Sequence, residues 1–293
     1  MSTIQEPLEV VKEQARLHLR MWWNDLDEDG QKWVKKHLGA LIDIFEIKPR
    51  EDLVKALVTF WDPVHNVFRF SDFKITNTLE EIAGYIEFGR DLRKQQLIFP
   101  RAPSVHKFFD LLNSSKQTNK ERVSNGCCAF HFLYFRFGHS SGFETHEKAL
   151  SNKQNKGLWK IHCRFAFIVA FLGIMVFPNE KGTVDTRMAR IAQILTTKED
   201  HTLAPLVLED IYRALTVCKA GAQFFEGYSQ VIELHPEASL PEAIVQQDWN
   251  SCRYLKNGTQ VPDIAKGEVD LNYAAWYFLQ TLNGNEAVYG NCA

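Results

Sequence analysis

Residues 165–177, FAFIVAFLGIMVF, form the longest apolar run in the chain, with Arg164 before it and Pro178 after it. Its 13 residues are fewer than the roughly 20 helical residues that cross a bilayer. A helix that is apolar on all sides is typical of a protein core. The run therefore predicts a fully buried core helix over about 159–177.

Amphipathic helical patterns surround this core helix on both sides in the sequence. Apolar residues recur every three or four positions in several segments, which are 8–21, 31–45, 49–61, 183–195 and 203–221. Because 45% of the 293 residues are hydrophobic, the apolar faces of these helices can bury a large core. We expect a mainly α-helical globular protein.

The segment FWDPVHNVFRF, residues 60–70, interrupts the helical pattern. Pro63 lacks an amide hydrogen and crowds the residue before it, so the preceding helix must end near Asp62. Apolar residues then alternate with polar ones through NVFRF and FKIT, which is the pattern of two short strands. The sequence predicts a small β-hairpin near residues 64–76.

Trp61, Asp62 and His65 lie close together at this break, where they could be part of an active site or of a fold corner. An Asp next to a helix-ending proline commonly accepts hydrogen bonds from turn amides. The sequence shows no charge relay that would include His65. We therefore interpret the three residues as a fold corner or the wall of a pocket, with Trp61 packed at the end of the helix.

A polar stretch at residues 113–126, NSSKQTNKERVSNG, is the best candidate for a linker or exposed loop. It predicts an N-terminal helical part with the hairpin at 1–112 and a C-terminal helical part at 127–293 that packs on the first. The length agrees with two parts, because the chain exceeds the size at which single cores usually begin to divide. One single large domain is the alternative.

Charge and cysteine content restrict the classes of partner and compartment. A formal net charge of -2 and a pI near 6.6 give no overall attraction to phosphate or to anionic lipid. The six cysteines are scattered, and the N-terminal residues lack the apolar run of a signal peptide. We expect reduced thiols in the cytosol or nucleus, and no membrane partner.

Nucleic-acid binding would need a local basic patch, and two clusters of basic residues could supply it. They are Arg90, Arg93, Lys94 and Arg101 in one region, and Lys116, Lys120 and Arg122 in the polar loop. Phe88 and Phe99 near the first cluster could stack on bases. Acidic residues lie between these basic ones, which favours an ordinary solvent-exposed surface over a nucleic-acid-binding patch. Nucleic-acid binding is therefore the second interpretation.

The strongest metal candidate combines Cys127, Cys128 and His131 with His139 and His146. On a helix, Cys127 and His131 would share a face, and thiolates with imidazoles suit zinc. However, a Cys-x2-Cys pair is absent, and adjacent cysteines point in different directions. We expect buried free thiols and no cofactor. A metal-dependent hydrolase around Cys127 to His146 is the third interpretation.

No catalytic residue can be assigned from motifs. The phosphate-binding loop, the dinucleotide fingerprint and the serine-hydrolase elbow are all absent from the sequence. Asp62, Asp185 and Glu209 could form a three-carboxylate site for two-metal chemistry. Nothing in their sequence surroundings distinguishes them from the other acids, and we favour surface or turn positions for all three.

Two blocks of sequence resemble the plant mobile domain family. The first is WDPVHNVFRF leading into FKITNTLEEIAGYIEF. The second, FAFIVAFLGIMVFPNEKGTVDTRMARIAQIL followed by HTLAPLVLEDIYRALTVCKAGAQFFEG, is similar to a plant domain of unknown function that is related to the mobile domain and occurs in retrotransposon-derived reading frames. The resemblance covers roughly residues 31–277.

This resemblance implies a non-enzymatic protein-interaction module, linked to transposon silencing or genome maintenance as in the maintenance-of-meristems proteins. It implies a protein partner and a nuclear or nucleocytoplasmic location, without catalytic residues and without fixing the oligomeric state. Compared with the family pattern, only HPEASLPEAIVQQ at 235–247 precedes the last block of sequence, which indicates a shortened internal segment.

Overall fold

The computed structural model describes most of the first three quarters of the chain. The described residues are 8–10, 12–47, 51–70, 74–77, 79, 82–83, 86, 95–98, 101–112, 122–139, 142, 156–197 and 201–229, with two short strands at 254–255 and 259–260. Most of the linker predicted at 113–126 and all of the shortened segment predicted at 235–247 lie outside them.

The described part is mainly α-helical, which confirms the predicted fold class. In chain order, the helices are α1 (Glu13–Asp25), α2 (Glu28–Leu38), α3 (Glu51–Phe60), α4 (Val105–Leu111), α5 (Phe130–Leu133), α6 (Lys156–Phe171), α7 (Arg187–Thr197) and α8 (Ala204–Lys219). A 3-10 helix, Gly39–Glu46, follows α2. Single π-helical turns, Tyr134–Gly138 and Leu172–Val176, continue α5 and α6.

The described part of the chain contains four small sheets. Their strands are β1 (Trp61–Asp62), β2 (Val67–Arg69), β3 (Lys74–Ile75), β4 (Gln96–Leu97), β5 (Val123–Ser124), β6 (Cys127–Ala129), β7 (Thr183–Asp185), β8 (His201–Thr202), β9 (Tyr254–Leu255) and β10 (Thr259–Gln260). The sheets β1-β2-β3, β5-β6-β7 and β9-β10 are antiparallel, and β4 pairs with β8 in parallel.

The helix α6 lies at the centre of the core, as predicted. The ring of Phe167 contacts Trp22 edge-on at 5.6 Å between centroids, and Phe171 contacts Phe45 at 5.3 Å. At the surface end of α6, Lys160 donates a hydrogen bond of 2.6 Å to Asp27, which caps α2. The first two helices of the chain are thus packed directly on α6.

The stretch Trp159–Val176 is long and apolar enough to cross a membrane by length and composition alone. In the protein, 72% of this stretch is buried. Contacts with the other core helices therefore account for its apolar composition.

Buried residues on both sides of 113–126 belong to one hydrophobic cluster, which extends from Leu8 to Tyr228. The end of the predicted linker is not a loop, because Val123 and Ser124 form β5 and pair with Cys128 and Cys127. The division of the chain into two helical parts stays a prediction.

The predicted hairpin is present as β2 and β3, and β1 adds a third strand to it. Trp61 pairs with Phe68, and Phe68 pairs with Ile75 in the next strand. The end of α3 is therefore joined directly to the sheet.

The helix predicted over 183–195 begins later than expected. Residues Thr183–Asp185 form β7, and the helix α7 starts at Arg187. The sequence-based prediction was wrong here because Val184 pairs with Cys128 in the neighbouring strand and is fully buried. Tertiary packing overrides the local helical period.

The π-helical turn after α6 brings its backbone into close contact with β7. The turn is closed by a hydrogen bond of 2.7 Å from the Phe177 amide to the Leu172 carbonyl. A Cβ atom on Gly173 would lie 2.6 Å from Cγ1 of Val184, too near for any side chain. Gly173 thus permits the approach of β7 to the core helix.

We predict that Gly173→Ala lowers the free energy of unfolding by about 1–3 kcal/mol, because the added methyl group overpacks the contact with Val184. Chemical denaturation of both proteins measures the loss. In a Val184→Ala background the same change should cost less, since Cγ1 is absent and the two sites are coupled. Equal costs in the two backgrounds would contradict this account of the contact.

Candidate functional site

Trp61 attaches the hairpin to α8. Its side chain is 2% exposed and its Nε1 donates a hydrogen bond of 3.0 Å to Oγ1 of Thr216. Burying a Trp removes roughly 200 Å² from water, a gross gain of about 5 kcal/mol, whereas one hydrogen bond contributes about 1 kcal/mol. Burial therefore holds the indole in place, and the hydrogen bond sets its orientation.

Asp62 organises the turn that follows β1. Its Oδ1 accepts a hydrogen bond of 3.0 Å from the Val64 amide, and its Oδ2 accepts bonds from His65 Nδ1 at 2.9 Å and from Arg69 Nε at 3.2 Å. The bonds from Arg69 and then His65 hold the pKa of Asp62 well below its ordinary value of 3.8. The predicted corner residues Trp61, Asp62 and His65 thus lie together in a fold corner.

Tyr212 makes a second connection between α8 and the hairpin. Its hydroxyl donates a hydrogen bond of 2.7 Å to the carbonyl of Asn77, and it lies 2.7 Å from Oγ1 of Thr76. Lys219, at the end of α8, donates a bond of 2.6 Å to the carbonyl of Thr59. These contacts attach the hairpin along one edge of α8, while Val207, Ile211 and Leu215 bury the inner side of the helix in the core.

An open groove of about 580 Å³ follows α8 where it meets the hairpin. Its surface is mostly apolar and belongs largely to one helix face. The residues that line it are Asn66, Leu79, Pro205, Leu208, Glu209, Tyr212, Arg213, Thr216 and Val217. We call it the α8 groove.

A second concavity of about 590 Å³, which we call the charged cavity, lies on the other side of α8. Glu209 and Arg213 line both concavities, so the two are neighbours across one turn of the helix. The charged residues that line the charged cavity are Glu180, Lys181, Asp185, Arg187, Glu209, Asp210, Arg213 and Glu226. Its volume is within the range of about 300–1,000 Å³ found for ligand sites.

Local hydrogen bonds position the wall of the charged cavity opposite α8. The side chain of Asn179 accepts a bond of 3.1 Å from the Thr183 amide and donates one of 2.7 Å to the Thr183 carbonyl, which closes the loop before β7. At the end of β7, Asp185 accepts bonds of 2.8 Å from both the amide and Nε of Arg187. The ion pair raises the pKa of Arg187.

Asp210 is the most perturbed carboxyl group of the cavity wall. Its Oδ1 accepts a bond of 2.7 Å from Arg213, while its Oδ2 is buried with no hydrogen-bond partner among the described residues. Burial raises the pKa of Asp210 to about 6, and Arg213 offsets part of that rise. Arg213 is held from its other side by Glu226, through Oε2 at 3.1 Å.

The structure brings together only part of the carboxylate set considered from sequence. Asp185 and Glu209 both line the charged cavity, but Asp62 lies in the fold corner and lines neither concavity. Sequence reasoning missed Asp210 and Arg213, although their spacing of three residues on a helix indicates an ion pair.

The proposed zinc ligands do not form one group in the described part of the chain. Cys127 and Cys128 lie in β6 and not in a helix, so Cys127 does not share a helical face with His131, as the sequence suggested. Burial raises the pKa of the Cys128 thiol to about 12. The described residues contain no group of three or more His, Cys, Asp or Glu side chains that could hold a metal ion. His146 lies outside them.

Two of the predicted nucleic-acid-binding residues are described, and both are exposed. They are Arg101 and Arg122, and the guanidinium of Arg122 lies 6.0 Å from the ring centroid of Phe132. The remaining five, which are Arg90, Arg93, Lys94, Lys116 and Lys120, lie outside the described residues. The basic patches therefore stay a prediction.

These features define a mainly α-helical protein in which one helix separates an apolar groove from a charged cavity. The chain belongs to a family described as "Domain of unknown function (DUF7745)", whose model matches residues 19–224. The match includes both the fold corner and α8. Neither a curated protein nor a solved structure matches the chain.

We predict that Asp210→Asn alters the pH dependence of stability. Because the pKa of Asp210 is raised to about 6 from its ordinary value of 3.8, its contribution to stability is full below about pH 4 and is lost as the pH rises through about 6. Because Asn cannot ionise, the Asp210→Asn variant does not lose this contribution to stability as the pH rises. The free energy of unfolding of the variant, relative to the parent, should rise between about pH 4 and 7 by on the order of 2–3 kcal/mol.

Urea unfolding of both proteins at intervals over this pH range measures the difference. A difference that stays flat or falls as the pH rises would show that Asp210 does not carry a raised pKa.

Proposed function

We propose that this protein is a non-enzymatic protein-interaction module whose partner docks on the outward face of α8. The observation that carries the proposal is the presence of two neighbouring concavities on one helix, with Glu209 and Arg213 between them. An apolar surface with charged groups at its edge is typical of protein-binding sites. Behind this face the helix is anchored in the core by its buried residues Val207, Ile211 and Leu215, and the bonds of Thr216 and Tyr212 attach the hairpin beside it.

The chemistry of the described thiols supports binding over covalent catalysis. Catalytic cysteines act as thiolates at neutral pH. Burial raises the pKa of Cys163 to about 12 and that of Cys218 to about 11, as it does for Cys128. These three thiols are packed in the core as small apolar side chains.

The position of Asp210 also favours a binding role. A carboxyl group with a pKa of about 6 could serve as a general acid. However, Arg213 occupies one of its oxygens, and the other is buried. The Asp210–Arg213–Glu226 set is therefore better suited to forming a charged wall than to transferring a proton.

The resemblance to the plant mobile domain supports a biological process and a cellular location in which this module would act. It favours a transposon-derived protein that acts in transposon silencing or genome maintenance in the plant nucleus or nucleocytoplasm. The unpaired state of Cys127, Cys128, Cys163 and Cys218 agrees with a reducing compartment.

We predict that Val217→Asp abolishes partner binding without unfolding the protein. Val217 lines the α8 groove and is 42% exposed, so a carboxylate there is solvated in the free protein but desolvated under a partner. A random peptide library displayed on phage and selected on the immobilised full chain supplies the binders. Their affinity for the variant should fall at least about tenfold, which corresponds to about 1.4 kcal/mol.

Leu17→Asp is the matched control, because Leu17 is 51% exposed on α1 and lines neither concavity. Its binding should equal that of the parent protein. If the library yields no binders, or if the binders are equally tight on Val217→Asp, the proposed docking face is wrong.

Nucleic-acid binding is the second candidate, supported by the exposure of Arg101 and by the contact of Arg122 with Phe132. It predicts that affinity for DNA or RNA falls steeply as salt rises from about 50 to 200 mM, since several phosphates would be neutralised. The interaction-module proposal predicts no such binding. Gel shifts of the parent and of an Arg101→Glu, Arg122→Glu variant at both salt concentrations separate the two functions.

A further inference from the structure

The charged cavity carries an excess of negative charge. Five carboxylates line it, against three cationic side chains. Two of those cations are already engaged within the wall, since Arg187 pairs with Asp185 at 2.6 Å and Arg213 pairs with Asp210 at 2.7 Å. The cavity therefore attracts positive charge.

Glu209 is the carboxylate best placed to receive a cation from a partner. It lies where the α8 groove meets the charged cavity, and its side chain is exposed. Within the described residues Glu209 makes no hydrogen bond or ion pair. Oδ2 of the adjacent Asp210 is also without a hydrogen-bond partner there, and it is buried. Glu209 thus remains an exposed carboxylate that accepts no donor from the described part of the chain.

In addition to a cation, a ligand of this face needs an apolar group that fits the α8 groove. Leu208 and Tyr212 offer apolar surface beside Glu209, and Val217 extends this surface toward the end of α8. On a helix with a rise of 1.5 Å per residue, Glu209 and Val217 are about 12 Å apart along the axis, which is about the length of four residues of extended chain. A short peptide can therefore reach both regions at once.

We propose that the face of α8 binds a peptide segment in which a Lys or Arg side chain lies a few residues from a large apolar side chain. The cationic group enters the charged cavity against Glu209, and the apolar side chain packs in the α8 groove. The inference rests on the proposed interaction function and specifies the chemistry of the partner. A peptide cation supplies the hydrogen-bond donors that the exposed carboxylate of Glu209 lacks within the described residues.

Fluorescent octapeptide pools test this proposal on the full chain. Each pool has Leu fixed at one position and Arg, citrulline or Glu fixed four positions away, with the remaining positions randomised. Citrulline is the neutral counterpart of Arg, so the comparison isolates the charge. We expect Arg pools to bind about tenfold more tightly than citrulline pools and Glu pools to bind most weakly, with a preference that declines as salt screens the exposed carboxylate.

Glu209→Gln should reduce the preference for Arg over citrulline several-fold, and Glu209→Lys should favour the Glu pools. Asp29→Asn is the control, since Asp29 is exposed on α2, outside both concavities, and its removal alters the net charge equally. An unchanged preference in Glu209→Gln overturns the assignment of the cation to this site.

The outcomes also separate this inference from the proposed function. If all pools bind equally and Val217→Asp weakens them all, the interaction face stands and the preference for a basic residue is wrong. If no pool binds in a manner sensitive to Val217→Asp, the docking face fails, and the inference fails with it.

Discussion

The contact between Gly173 and Val184 determines how closely β7 packs against the end of the core helix α6. It allows the π-helical turn after α6 to lie directly against β7. The strand β7 then pairs with β6 and leads through Asp185 into α7. π-helical turns are frequent at functional sites, and this turn positions the loop that forms one wall of the charged cavity.

The other wall of the charged cavity is formed by α8, whose two sides differ in burial. Its inner side, with Val207, Ile211 and Leu215, is buried in the core, and the hairpin is attached alongside through the hydrogen bonds of Trp61 and Tyr212. Its outer side carries Glu209 and Arg213 between apolar and charged surfaces. A rigid support behind an exposed face lowers the entropic cost of binding, because little of the site must be ordered.

The parts of the structure that were predictable from sequence are those specified by local patterns. The apolar run at 165–177 predicted the core helix, and Pro63 with the following alternation predicted the corner and the hairpin. The start of β7 was not predictable, because Val184 fits a helical period and only its pairing with Cys128 makes it a strand. The same holds for Cys127 of β6, which the sequence-based interpretation placed on a helical face with His131.

The charged cavity was also beyond sequence reasoning, for a related reason. Asp210 and Arg213 are visible as a helical pair, but Glu226 and Asp185 reach them only through the tertiary fold. The raised pKa of Asp210 results from burial, which the sequence does not reveal for a single acidic residue in an amphipathic helix.

The central claim is that the outward face of α8 is where a partner binds. Hydrogen exchange with mass spectrometry, with and without a saturating library-selected peptide, tests it most directly. The account predicts slower exchange in 204–219 and in the 177–185 loop on binding. Protection confined to segments that line neither the α8 groove nor the charged cavity would contradict it.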